Sequence, residues 1–156
     1  MSKIARAAAI AASLSVAAPA LAGNLVASDP DGIRNYLMEE GIPAKLTEDN
    51  VGDPLIEVRY FGTEFSIYFY GCTANQDCTS IQYFSGYATD WAIPLEAINS
   101  WNTNQRFARA YLSEEGAARI EYDVFLGEDG MTTQDFDTAL SIWTRNLSEF
   151  EDFIDW

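Results

Sequence analysis

Two cysteines are the residues of this chain whose spacing most directly suggests chemistry. Cys72 and Cys78 are the only cysteines in the 156-residue sequence, and five residues separate them. Zinc would need four ligands, and the sequence contains no histidine and no third cysteine. The C-x-x-C spacing of thioredoxin-like redox sites is absent as well. A disulfide is therefore favoured over a reactive pair or two free thiols, provided that the protein matures in an oxidising compartment.

Carboxylates are the second group that could do chemistry, since the chain has 24 aspartates and glutamates. Catalysis needs groups with separated proton affinities in a cleft, or a nucleophile beside a base such as histidine. The spacing of pairs such as Glu121 and Asp123 indicates solvated strand faces, and Lys45 is the sole lysine after residue 22. The acidic turns DPDG, TEDNVGD and GEDG do not match an EF-hand loop. We therefore predict no catalytic residue, no metal site and no cofactor.

One stretch combines residue types that are common at protein interfaces. INSWNTNQRFARAYL, residues 98–112, joins an amphipathic helix to a strand. The candidate binding residues in it are Asn99, Trp101, Asn102, Arg106 and Arg109. In the alternative interpretation the asparagines end the helix, and the two arginines pair with carboxylates of the next strand, Glu121 and Asp123.

The first 22 residues have the pattern of a secretory signal peptide. Lys3 and Arg6 give a basic start, an alanine-rich apolar run follows, and residues 20–22 form a small-x-small ending. The run is too short and too rich in alanine for a secure membrane span, and it lacks the polar face of an amphipathic anchor. We expect cleavage between Ala22 and Gly23, delivery to the periplasm or the medium, and no membrane contact afterwards. In that compartment the two cysteines should form a disulfide.

The net charge of the chain restricts the kinds of molecule that it can bind. Loss of the leader removes two of the nine cationic residues and none of the 24 carboxylates, so the formal charge moves from −15 to −17. Such a chain repels nucleic acid and anionic lipid. An apolar fraction of 48% supports a packed core. We predict a single domain over residues 28–156, preceded by a short segment at residues 23–27, with no nucleic-acid partner.

The hydrophobic patterns predict an α+β domain. Helical spacing indicates three helices, at residues 28–40, 94–105 and 133–153. Alternation indicates five strands, at residues 55–61, 64–71, 79–87, 107–112 and 118–126. A short edge strand and an acidic turn are expected within residues 44–54. The order is helix, three strands, helix, two strands, helix, with an antiparallel sheet that helices cover on one face.

Several short elements also have a family pattern. A helix ending in N-x-W-N at residues 99–102 is followed by R-F-A-R-A at 106–110 and by E-Y-D at 121–123. In this order they resemble the YbjN family of bacterial proteins, described as sensory transduction regulators, over roughly residues 28–154. The resemblance implies a fold similar to that of type III secretion chaperones. Those chaperones are usually homodimers that bind an extended segment of a client protein, and they are not enzymes.

From these observations we expect an exported, non-enzymatic binding or regulatory module. Its partner would be another protein or a peptide, bound at a sheet edge or near Trp101 and Arg106, and a homodimer is expected. The alternative is a small-ligand or ion-sensing domain with a pocket between the sheet and the C-terminal helix.

Overall fold

The computed structural model describes residues 23–156, so the predicted leader lies outside the described residues. The elements are α1 (Pro30–Glu39), β1 (Ala44–Glu48), β2 (Pro54–Tyr60), β3 (Thr63–Tyr70), β4 (Ser80–Tyr87), α2 (Leu95–Asn104), β5 (Arg109–Leu112), β6 (Ala118–Phe125) and α3 (Thr133–Phe153). The predicted α+β class is confirmed. The predicted count of three strands before the second helix is wrong, because the short edge strand pairs along its whole length with β2.

Local sequence caps the N-termini of α1 and α3 as predicted. The Asp29 carboxylate accepts a hydrogen bond from the Gly32 amide at 3.0 Å, and Pro30 lies in the first turn, where no N–H is required. At α3 the Thr132 hydroxyl accepts from the Asp135 amide at 3.1 Å. The apolar stripe of α3 is buried along its full length, at Phe136, Leu140, Trp143, Leu147, Phe150 and Ile154.

The six strands form one antiparallel sheet in the order β1-β2-β3-β4-β6-β5. On one side, α3 lies across the sheet, where the Trp143 indole stacks on the Tyr83 ring with 5.7 Å between centroids. The other two helices join the same layer, because Tyr36 of α1 and Trp101 of α2 both pack on aromatic residues of α3. We call this side the inner sheet face. On the opposite side, the outer sheet face, none of the three described helices covers the strands.

The cysteine loop joins β3 to β4, and its two sulfur atoms lie at disulfide distance, 2.14 Å apart. A second contact ties this loop to the β1–β2 turn. The Asn75 side-chain amide donates to the Val51 carbonyl at 3.1 Å and to the Asp53 carboxylate at 2.9 Å. The cysteine loop and the β1–β2 turn are therefore held together at one end of the sheet.

The segment before α1 packs into the core of the domain. Leu25 exchanges two backbone hydrogen bonds with Met131, at 2.8 and 3.0 Å, and the side chains of Leu25 and Ala27 are buried. Gly130 permits this close approach, because its φ is +70° and a side chain at that position would collide with the Leu25 carbonyl. Residues 23–27 are thus held against the turn that precedes α3.

Candidate binding surface on the outer sheet face

The outer sheet face presents aromatic side chains that no described helix covers. Cross-strand register places side chains from four strands on this face, namely Tyr68, Tyr70, Phe84, Tyr111 and Phe125. The Phe125 side chain is 76% exposed, and the Tyr68 and Phe84 rings meet edge to face with 5.5 Å between centroids. Clustered aromatic residues on an accessible face are typical of protein-interaction sites.

A chain of polar contacts crosses the same face. The Tyr70 hydroxyl donates to the Gln82 side-chain oxygen at 3.4 Å, and the Gln82 amide donates to the Asp123 carboxylate at 2.8 Å. Arg109 contacts Asp123 at 3.5 Å and donates from Nε to Glu121 at 3.2 Å. Because Gln82 and Glu121 are only 6% and 7% exposed, this network is ordered within the protein itself.

Glu121 corrects a prediction made from the sequence, where strand alternation indicated a solvated carboxylate. Its side chain is buried, between its register neighbours Phe84 on β4 and Arg109 on β5. Desolvation opposes the charge of Arg109, but the nearby Glu121 and Asp123 carboxylates raise the pKa of Arg109 above its ordinary value. The guanidinium therefore stays charged and remains the partner that Glu121 needs.

Tyr70 remains a neutral hydrogen-bond donor in this network. Burial, reinforced by the negative charge of Glu121, raises the pKa of the Tyr70 phenol above its ordinary value. The face therefore offers aromatic contacts and fixed hydrogen-bonding groups, a combination suited to recognition.

Two of the predicted binding residues support the fold. Trp101 is 4% exposed, and its ring packs on Phe150 and Phe153 of α3 with centroid distances of 5.0 and 5.4 Å. The Asn102 amide donates to the Ala110 carbonyl at 2.9 Å, and its side-chain oxygen accepts from the Ala110 amide at 2.8 Å. Asn102 thus occupies the position that a neighbouring strand would take at the edge of β5.

The structure does not bring the remaining predicted residues together. Asn99 is exposed on α2, and Arg106 is exposed beside Phe107, with its guanidinium carbon 5.2 Å from the ring centroid. Arg109 alone belongs to the outer sheet face, where its pairing follows the alternative interpretation. Sequence reasoning misses Gln82 and the aromatic residues of this face, although their two-residue alternation along β3 and β4 is a usable signal.

The interior between the sheet and α3 is filled by aromatic side chains. The Tyr83 hydroxyl and the Trp143 indole N–H are buried there, and neither has a hydrogen-bond partner among the described residues. An open groove of about 340 Å³ lies between the β2–β3 turn and α3, lined in part by Phe61 and Arg145. Within residues 23–156, no cluster of three or more metal-ligating side chains occurs, and no helix has the length and apolar character of a membrane span.

Comparison with known proteins identifies a family for this fold. A family model named YbjN, described as "putative bacterial sensory transduction regulator", matches residues 29–156. The matched range contains all nine elements, from the cap of α1 to the last residue after α3. No curated protein matches the chain.

Proposed function

The chain belongs to the YbjN family, and from that membership and its outer sheet face we propose that it is an exported, non-enzymatic regulatory module that binds a protein partner in the periplasm. The family description supports a regulatory role. The signal-peptide pattern of residues 1–22 and the cysteine pair at disulfide distance support export to an oxidising compartment. A sequence without histidine supports binding over acid–base catalysis.

The single observation that carries the proposal is the ordered network on an uncovered sheet face. A partner that covers this face would remove aromatic surface from water, which is the main favourable term in most protein association. Gln82 and Glu121 are already fixed by their hydrogen bonds, so binding loses little side-chain entropy there. The side chains of Arg109 and Asp123 remain more than half exposed, and they can supply specific contacts.

A small-ligand or ion-sensing domain is the second candidate. It is supported by the unpartnered Tyr83 hydroxyl and Trp143 N–H, two polar atoms that a small polar ligand could satisfy. Aromatic side chains fill the space around these two atoms, and this dense packing favours the protein-binding module over the ligand sensor. A melting temperature that rises with calcium or with members of a metabolite panel would favour the second.

Affinity capture from a native periplasmic extract tests the protein partner. The mature chain with Phe125→Asp should retain less than about a tenth of the partner that the wild type retains, because the new carboxylate would be desolvated in the contact. Phe61→Asp is the matched control, since Phe61 is 93% exposed in the β2–β3 turn, outside the outer sheet face. Equal retention by Phe125→Asp and the wild type, or a wild type that retains nothing, would refute the proposal.

Cell fractionation tests the export part. We expect a periplasmic chain that begins at Gly23, with a mass two hydrogens lower than that of its reduced form. A full-length chain in the cytosol with both thiols reduced would contradict export.

A further inference from the structure

The outer sheet face differs in charge from the rest of the protein. Register places four cations and four carboxylates on it: Lys45, Arg59, Arg109 and Arg119, with Glu57, Glu64, Glu121 and Asp123. Its formal charge is therefore zero. The other carboxylates, 24 − 4 = 20, lie on the helices, in the loops and at the end of β1, with three cations among the described residues. The whole net charge of the described chain, −17, thus lies outside this face.

The charges on the outer sheet face are paired within the chain. The ion pairs are Lys45 with Glu57 at 3.1 Å, Arg59 with Glu64, and Arg109 with both Glu121 and Asp123. The remaining cation, Arg119, lies 5.9 Å from the centroid of the Tyr111 ring. A partner therefore does not need a net charge of either sign to cover this face. A neutral surface that packs on the aromatic rings is sufficient.

Two copies that meet through this face keep their acidic helical layers far apart. Facing sheets lie about 10 Å apart, and a helix layer adds about 10 Å behind each sheet. The two helical layers would then be about 30 Å apart, whereas the Debye length at physiological ionic strength is about 8 Å. Repulsion between those layers is therefore largely screened. Contact through the helical side would instead bring carboxylates of α3 from both copies within a Debye length.

We propose that the partner on the outer sheet face is a second copy of this chain, in a symmetric dimer of two sheets packed face to face. This inference rests on the proposed function, because it names the occupant of the same surface. A two-fold axis pairs a patch with itself, and the outer sheet face is neutral and aromatic on both copies. Rings on β3, β4 and β6 supply the aromatic contacts, and the ion pairs on the same face join β1 to β2, β2 to β3 and β5 to β6.

Sedimentation of the mature, oxidised chain tests the dimer. We expect twice the monomer mass at micromolar concentration. Raising the salt concentration from about 50 mM to about 500 mM should change the dissociation constant less than about threefold, because the contacting faces are neutral. A monomer throughout the micromolar range, or an association that strengthens steeply with salt, would overturn the inference.

Substitutions locate the contact. Phe84→Asp and Phe125→Asp should each weaken the dimer at least about 100-fold, because both copies would bury an unpaired carboxylate. Phe125 is mostly exposed, so its variant keeps the test valid if Phe84→Asp fails to fold. Phe61→Asp should sediment as the wild type does. A dimer that survives Phe125→Asp, or one that is lost in Phe61→Asp, would overturn the assignment of the surface.

The same variants separate this inference from the proposed function. If the wild type is monomeric while capture of a different protein still depends on Phe125, the dimer fails and the binding module stands. If the wild type is a dimer that depends on Phe125 and captures no other protein, the dimer stands and the periplasmic protein partner fails.

Discussion

Replacing Asn102 by alanine should destabilise the protein by removing two contacts at the edge of the sheet. The Asn102 side chain closes both hydrogen bonds with the Ala110 backbone, at 2.9 and 2.8 Å, and β5 is the last strand of the sheet on that side. A net contribution of about 1 kcal/mol per hydrogen bond gives a loss of about 2 kcal/mol. Asn102 is exposed, so water can replace part of the bonding and keeps the loss near this value.

Asn99→Ala is the matched control, since both asparagines lie in α2 and Asn99 is also exposed. Alanine raises the intrinsic helix propensity in both variants, by about 0.5 kcal/mol. Asn99→Ala should therefore be neutral or slightly stabilising, and Asn102→Ala should show a net loss of about 1.5 kcal/mol. The difference between the two variants, about 2 kcal/mol, isolates the contacts with Ala110.

Urea unfolding of the oxidised chain, followed by tryptophan fluorescence and by circular dichroism, measures that difference. In thermal unfolding of a domain of this size, a difference of about 2 kcal/mol would place the melting temperature of Asn102→Ala roughly 8 °C below that of Asn99→Ala. If both variants are equally stable, Asn102 does not hold the edge of β5. Its original interpretation as a binding residue would then regain support.

Further predictions concern two buried aromatic residues and the cysteine pair. Burial raises the pKa of the Tyr83 phenol. The stability that this shift contributes is fully present below about pH 10, the pKa of tyrosine in the unfolded chain, and it falls by about 1.4 kcal/mol per pH unit above that value. In urea unfolding from about pH 9 to pH 11, the free energy of unfolding of Tyr83→Phe should fall less steeply with pH than that of the wild type. Trp101→Ala should cost about 3–5 kcal/mol, whereas exposed Arg106→Ala should stay within about 0.5 kcal/mol; equal effects in thermal unfolding would argue against a buried Trp101. Replacing Cys72 and Cys78 by serine should cost about 2 kcal/mol, because a short loop closes little entropy; unfolding that is insensitive to reductant would count against the bond.

Elements with a regular period were predictable from the sequence. The helical repeat of apolar residues predicts the single buried stripe of α3, and Thr132 caps this helix as its sequence predicts. β1 was harder to recognise as a full strand of the sheet, because it is five residues long and has partly exposed positions throughout. Its membership of the sheet depends on pairing with β2, which a pattern within the strand does not encode.

The candidate binding surface could be predicted only in part, since register across the sheet is not local. The pairing of Arg109 with Glu121 follows from the β5–β6 hairpin, and sequence reasoning reached it. The burial of Glu121 also requires Phe84 from β4, a strand that α2 and β5 separate from β6 along the chain. Trp101 suits an interface and a core equally well by residue type. In the structure, contact with Phe150 places the Trp101 ring in the core.

The edges of the sheet are less suited to a partner than its outer face. An added strand would need free backbone groups, yet the Ala110 N–H and C=O are taken by Asn102. At the opposite edge, the Ala44 amide donates to the Met38 sulfur at 3.3 Å, and Lys45 places a charge on a strand of five residues. Both edges thus carry features that oppose strand addition. Because the exposed aromatic rings and the ordered polar network lie between these edges, this fold favours a partner that covers the sheet over one that extends it.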